Sequence, residues 1–410
     1  MPFEELPTYY DRLPLLAAQL EEQGCVGVMV IDASAFAAIE AEYGQGALQE
    51  VRQRAFAVIQ EHQGRDCRKG DLWALDRPGG TRFLVFLERK RRKSVTVSAA
   101  DFRAIRARLL TGVVPNLVRG CFPYLKTAPR IDVVHGLALY NPLVRAETVI
   151  RRVLDESHAM AQHLRQAEVL LERERLQELI VHERIVTAFQ PILLLKDRTV
   201  LGFEALSRGA KGTTLDTADE LFGAAERHGL MVELDRLCRR RALLSAGRVP
   251  SNARLFVNTL PATIRDPHFR GKSLIDFLGR AQVSPDRIVL EITEKLLIEN
   301  YAMLREAMQY FVDLGMSFAV DDVGAGYSGL ELIARLNPHF LKIDMSLVRD
   351  VHTSVVNRAM VKAIVTLSRA IGATVIAEGI HVQEESNALE QLGVDFGQGF
   401  FLARPDSGEE

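Results

Sequence analysis

FAVDDVGAGYSGL, residues Phe318–Leu330, sets two adjacent carboxylates, Asp321 and Asp322, behind a short apolar run and ahead of Gly324 and Gly326. The run Phe318–Val320 has the composition of the end of a buried strand. Neighbouring strand residues face opposite sides, so both acids can approach one centre only where the strand opens into a loop. The two glycines permit that opening. Paired acids there suit a site for two cations, one carboxylate bridging them. An isolated Asp-Asp-x-Gly is also an ordinary solvated turn, so the surrounding sequence decides.

Working outward, short β-type runs alternate with helical segments: VLGFEALS, ARLFVN, RIVLEITE, SFAVDD, HFLKID, TVIAEG and FGQGFFLA, with an eighth run at TAFQPILLL. About eight strands separated by helices in roughly 215 residues predict a (β/α)8-type barrel. Each run carries a polar or charged group near its carboxyl end: Glu204, Asn258, Glu291 with Glu294, Asp321 with Asp322, Lys342, Glu378 and Gln398. In such a barrel these ends converge on one mouth. Several acids gathered there repel one another and take up protons unless cations neutralise them. The donors are all oxygens, with no His or Cys at these positions, which selects hard cations, Mg²⁺ or Mn²⁺. Two such ions roughly 3.5–4 Å apart suit an in-line displacement at phosphorus. Lys342 either supplies positive charge near the reacting group or closes the mouth as a salt bridge, and the two roles are compatible.

The whole chain sets bounds on this. It has 410 residues, 25% of them charged and 48% hydrophobic, with a formal net charge of −2. Two or three domains with full cores are expected, and nothing argues for broad electrostatic capture of nucleic acid. Cys25, Cys67, Cys121 and Cys238 are scattered without a CxxC, which fits a reducing, cytoplasmic setting. Upstream of the barrel a leader turns into a short helix from Pro14. A strand CVGVMVID follows, then helices over Ser34–Gly44 and through VRQRAFAVIQEHQ, two strands about Pro78-Gly79-Gly80, and a strand in Arg130–Tyr140. The basic run Glu88–Lys93 is expected to be a solvated loop tip. From Ala146 to His182 the sequence predicts one long helix with an apolar stripe at Ile150, Val153, Met160, Leu164, Ala167 and Leu171. That stripe could cover its own domain or pair with a second copy.

The stretch Ala188–Pro405 resembles an EAL domain, the cyclic di-GMP phosphodiesterase family. Glu204-Ala205-Leu206 stands as the signature, preceded by Gln190-Pro191-Ile192, and the other motifs come in family order: FVNTL, EITE, DDVGAGYSGL, LKID, AEGI and GQGFF. The resemblance implies a modified TIM-type barrel that hydrolyses cyclic di-GMP to linear pGpG with two Mg²⁺ or Mn²⁺ ions. Asp321 would bridge the ions; Glu204, Asn258 and Glu291 would hold one, Asp322 and Glu378 the other. Gln190, Leu206, Arg208 and Gln398 would contact substrate, Arg208 at its phosphate. Lys342 would stand near the attacking water and Glu294 would steady the loop after the acid pair. Val323, Ala325 and His381 depart from the family pattern, and His381 is expected near the site without touching the ions.

The first part resembles a GGDEF domain that has lost its chemistry, through VIDASAFAAIEAEYGQGALQEV and RPGGTRFLVFL. Thr81 and Arg82 stand where the family carries acids, Asp32 matches its first metal carboxylate, and Glu40 replaces a guanine-reading Asn. Arg68-Lys69-Gly70-Asp71 spells the family's RxxD at a displaced spacing, as a chance tetrapeptide at a corner also would. The expected organisation is a leader helix over 1–20, a degenerate GGDEF-like α/β sandwich over 21–160, a connecting helix over 161–185 and the EAL domain over 186–410. A homodimer is expected, with no membrane span, no polymeric nucleic acid and an upstream partner of unspecified identity. The alternative is a non-catalytic cyclic di-GMP receptor.

Overall fold

The computed structural model describes residues 6–87, 98–125, 129–261, 266–325 and 330–406. The basic run Glu88–Lys93 and the Gly326–Gly329 end of the acid-pair loop lie outside the described residues. The chain divides into two compact units, Met1–Leu170 and Leu171–Glu410.

The first unit is built on four antiparallel strands, β1 (Cys25–Asp32), β2 (Leu72–Leu75), β3 (Arg82–Leu87) and β4 (Asp132–Leu139), ordered β2-β3-β1-β4. Every residue of β1 is buried because both sheet faces are covered. Its alternating side chains divide accordingly. Val26, Val28 and Val30 join Leu13, Leu16, Ile150 and Val153 in one cluster, while Met29 and Ile31 join Val51, Ile59 and Phe102 in the other.

The helix expected from Pro14 begins earlier, spanning Tyr9–Gln23 with Pro14 inside it. Thr8 donates through its N–H and its Oγ1 to the Asp11 carboxylate, at 2.8 and 2.7 Å, which fixes the start. The proline forfeits one backbone hydrogen bond, offset by burial of Leu13, Leu16 and Leu20 against the sheet. Arg68 and Asp71 close a turn: the Asp71 carboxylate accepts from the Arg68 N–H at 2.7 Å, and the Asp71 N–H donates to the Arg68 carbonyl at 3.1 Å.

Asp32, at the end of β1, has no exposed surface. Its carboxylate accepts from the Ser34 N–H at 2.9 Å, from Arg165 at 2.7 Å and from Arg82 at 3.3 Å. Burial alone would raise its pKa; the Ser34 hydrogen bonds and the two guanidiniums outweigh burial and hold it below the ordinary carboxylate value. The long helix runs Ala146–Val181. Its buried stripe in the first unit is Ala146, Val149, Ile150, Val153, Leu154, Ser157 and Ala161, whereas Met160, Leu164 and Leu171 are exposed. The expected stripe therefore holds only at its start, because the face that meets the sheet follows the 3.6-residue period through Ser157 and Ala161.

In the second unit eight strands close a barrel: β5 (Ile185–Leu194), β6 (Val200–Gly209), β7 (Arg254–Asn258), β8 (Ile288–Thr293), β9 (Ser317–Val323), β10 (Phe340–Ile343), β11 (Thr374–Ala377) and β12 (Phe396–Gly397). From β6 to β12 neighbours are parallel, but β5 runs antiparallel to both β6 and β12. The reason is chain length. Only residues Leu195–Thr199 separate β5 from β6, and a parallel return needs a crossover of about a dozen residues or more. Ile192, Phe256, Val289, Ala319, Phe340 and Ile376 form a buried cluster of strand residues, with Phe256 and Phe340 edge-on at 5.2 Å. A larger cluster joins the strands to the helices around them. Among the described residues no helix is long and apolar enough to cross a membrane.

Replacing Asp32 by Asn should destabilise the first unit by about 2–3 kcal/mol, since two partly buried guanidiniums lose their shared counter-charge and keep only the contacts to Asp76 and Asp132. Trp73, the only tryptophan, lies in this unit, so urea unfolding followed by its fluorescence reads that unit alone. The difference should shrink as pH falls through the depressed pKa of Asp32, where the wild-type carboxyl is neutral too. An unchanged midpoint at pH 7 would refute the assignment.

Candidate active site

Strand β9 does not end at Val320. Val320 pairs with Leu341 and Val323 with Ile343, so Asp321 and Asp322 together stand opposite the single residue Lys342. This is a β-bulge, with two residues of one strand facing one of its neighbour. Asp322 takes a left-handed φ of 56° and its N–H donates to Asp321 Oδ1 at 2.9 Å. The two acids reach one centre by this bulge, and not by the open loop that the alternation rule suggested. Gly324 follows with φ 96°, where a Cβ would meet Leu347 at 2.3 Å. Its N–H donates to the buried carboxylate of Glu294 at 3.0 Å.

Lys342 is completely buried, and its Nζ lies 2.5 Å from Glu378, 2.9 Å from Glu291, and 3.3 Å from both Glu204 and Asp321. Gln398, just beyond β12, donates to Glu204 at 2.6 Å and to Gln190 at 2.9 Å. Gln190 donates to the Ala403 carbonyl at 3.0 Å, and Asn258, the last residue of β7, to the other Glu204 oxygen at 3.2 Å.

Four carboxylates around one ammonium leave an excess of negative charge. Burial, and then repulsion from Glu204 and Asp321, push Glu291 well above the ordinary glutamate value in spite of Lys342. Glu378 is also pushed well above it, by burial and by Asp321. Burial raises Asp321. Asp322 is pushed up to about 6 by burial, then by Asp321 and Asp344. Burial alone would lower Lys342, but the four acids outweigh it and hold the amine charged.

Ligand atoms of Glu204, Glu291 and Asp321 lie within 4.8 Å of one another, as do those of Asp321, Asp322 and Glu378. Asp321 is common to both groups. The fully buried Glu291 carboxylate meets the shared Lys342 ammonium at 2.9 Å and no other donor among the described residues. An oxygen-only set with a buried carboxylate so placed fits a hard divalent cation.

A cleft of about 480 Å³ opens over these acids, lined also by Gln190, Leu206, Met345, His381, Gln398 and Phe400. Leu206 and Arg208 follow Glu204 on the same face of β6, but Arg208 is half-buried and is not among the cleft residues. His381 is at the cleft wall, and its N–H donates to the buried Glu385 at 2.7 Å. Val323 is fully buried and Ala325 exposed. The sequence reading missed Asp344, Met345, Arg349 and Phe400 as cleft residues. For Asp344 a signal existed, since it directly follows Lys342-Ile343 past the end of β10.

Fold and site together define a class: a barrel with one antiparallel strand whose mouth is lined by carboxylates able to hold divalent cations. The chain belongs to the EAL domain family, which matches residues 173–405. It is 28% identical over 240 residues to the signaling protein YkoW of Bacillus subtilis (strain 168), covering 56% of this chain and 29% of that protein. It is 26% identical over 399 residues to the cyclic di-GMP phosphodiesterase PdeR of Escherichia coli (strain K12), covering 93% of this chain and 57% of that one. The chain thus spans less than two thirds of either relative. Among solved structures it is similar to the PaMucR phosphodiesterase in complex with c-di-GMP, at 25% identity and a TM-score of 0.51, over 58% of this chain and 97% of that one.

Lys342→Met should cost the metal-free protein about 3 kcal/mol or more at pH 8, because four acids lose their only buried cation. Carboxylates whose folded pKa is raised contribute stability at low pH that is lost as pH rises through that pKa. The loss should therefore be smaller at pH 5.5. Calorimetry in EDTA at both pH values checks this; an equal shift at the two would refute it.

Proposed function

We propose that this protein hydrolyses cyclic di-GMP to linear pGpG at the barrel mouth, using two Mg²⁺ or Mn²⁺ ions. The observation that carries the reading is the pair of carboxylate groups sharing Asp321 beside a buried lysine, in a chain of the EAL family. The name of PdeR and the c-di-GMP complex of PaMucR support the choice of substrate.

Glu204, Asn258, Glu291 and Asp321 would hold one ion, and Asp321, Asp322 and Glu378 the other. Bound there, two such ions would lower the pKa of the attacking water and neutralise charge on the phosphate and leaving oxygens. Lys342, held by four acids, keeps a fixed positive charge beside the attacked phosphorus and orients the attacking water. Gln398 and Asn258 aim the Glu204 carboxylate, and Gln190 holds Gln398 in turn. Leu206 gives the substrate an apolar wall, and Arg208, next on that face of β6 and outside the cleft lining, would have to reach in to bind its phosphate. Glu294 holds the Gly324 amide and with it the chain that follows the acid pair.

The first unit is read as a silent GGDEF-like domain. Supporting this, the Asp32 carboxylate is already taken by Arg82 and Arg165. A homodimer belongs to the same reading, supported by the exposed Met160, Leu164 and Leu171 of the long helix.

Purified protein with Mg²⁺ or Mn²⁺ should convert cyclic di-GMP to pGpG, and EDTA should stop it. Asp321→Ala should cut kcat about a hundredfold or more, as loss of a group serving both ions costs roughly 2.7 kcal/mol or more. No turnover with either metal would remove the enzyme reading in favour of a receptor. With Asp321→Ala as background, GTP and Mg²⁺ should yield no cyclic di-GMP; accumulation of that product would overturn the silence of the first unit.

A further inference from the structure

Phe400 is 57% exposed and lines the same cleft as Glu204, Asp321 and Glu378, yet nothing in the metal and phosphate chemistry uses it. Its backbone is fixed. Gly399 packs so tightly that a Cβ there would meet the Ile380 carbonyl at 2.2 Å. The Ile380 N–H donates to the Gln398 carbonyl at 3.1 Å, the Phe401 N–H to the Ile380 carbonyl at 3.2 Å, and the Ala403 N–H to the Gly399 carbonyl at 2.9 Å. The Arg404 guanidinium sits 5.3 Å from the ring centroid, a cation–π contact that occupies one ring face. The ring stays largely exposed at a cleft whose floor is acidic, and it lies only two residues, at most about 7 Å of chain, beyond Gln398. Gln398 in turn is bonded to Glu204 at 2.6 Å.

A substrate whose phosphate is drawn to the acids through cations brings its heterocyclic bases to the cleft wall. A rigid, largely exposed ring offers a base what a flexible aliphatic side chain does not, because stacking needs a plane and little ordering entropy. We propose that Phe400 is the stacking platform for one purine base of the substrate, and so determines affinity for nucleobase-bearing phosphodiesters. This assignment rests on the reading of the site as a cyclic dinucleotide phosphodiesterase.

The test is steady-state kinetics of the full-length protein on cyclic di-GMP with Mn²⁺, comparing wild type with Phe400→Ala, Phe400→Leu and Phe400→Trp. The Ala and Leu variants should raise KM by about 5- to 100-fold, the range expected for loss of one base–aromatic stack, with kcat within about twofold. Trp should keep KM within about threefold. Leu separates stacking from mere apolar cover, and at so exposed a position all three variants should melt near wild type. An active wild type whose KM is unmoved by Ala and Leu overturns the assignment and leaves the phosphodiesterase reading standing. The assignment is equally overturned if Trp fails to restore a KM that Ala and Leu have raised. If wild type binds cyclic di-GMP in calorimetry without turnover, the same pattern is expected in Kd. If wild type neither binds nor hydrolyses it, both readings fall together.

Discussion

The ammonium of Lys342, enclosed by Glu204, Glu291, Asp321 and Glu378, is the interaction on which the barrel mouth depends. Removing a charge from water is costly, and several like charges in one low-dielectric place cost far more. The bulge in β9 sets Asp321 against that lysine and Asp322 in the neighbouring acid group with Glu378, so the local backbone distortion and the charge balance are one feature. The hydrogen bonds from Gln398 and Asn258 then satisfy the oxygens of Glu204. Glu291 has no donor but the shared Lys342 ammonium among the described residues, and protonation or a further cation makes up the balance.

The first unit meets the same physical problem and resolves it differently. Asp32 is as thoroughly buried as Glu291, but Arg82, Arg165 and the Ser34 backbone neutralise and saturate it. Its pKa falls where that of Glu291 rises. A carboxylate with two guanidiniums of its own is poised as a structural tie, whereas carboxylates sharing one ammonium are poised to exchange protons for metal. The sign of the pKa shift distinguishes the two uses.

Much of this was readable from residues. Strand-length apolar runs ending in acids gave the barrel, and the order of the motifs gave the family. The direction of β5 was not readable, because an apolar run has the same composition whichever way it points; the short connection to β6 carried the information. The bulge at Asp321–Asp322 escaped because alternation assumes an unbroken ladder. Met160, Leu164 and Leu171 show that an apolar spacing names a face without naming what covers it. Phe400 was hidden for a related reason: an aromatic after Gly399 reads as core, and only a buried or exposed ring in three dimensions separates the two.

The barrel closes through its shortest strand. Strand β12 meets β5 at two positions only, Phe396 with Leu194 and Gly397 with Leu193, and the side chains of Gln398 and Gln190 continue that seam as a hydrogen bond just beyond it. This thin joint of the cylinder and the groups that orient Glu204 are therefore neighbours in sequence. A ligand that engages Gln190 or Gln398 at the mouth also holds the strands beside the seam, and by linkage whatever tightens the seam strengthens its binding by the same free energy. A perturbation that tugs on β5, whose strand begins at Ile185 a few residues after the long helix ends at Val181, acts on affinity through the closure of the cylinder itself.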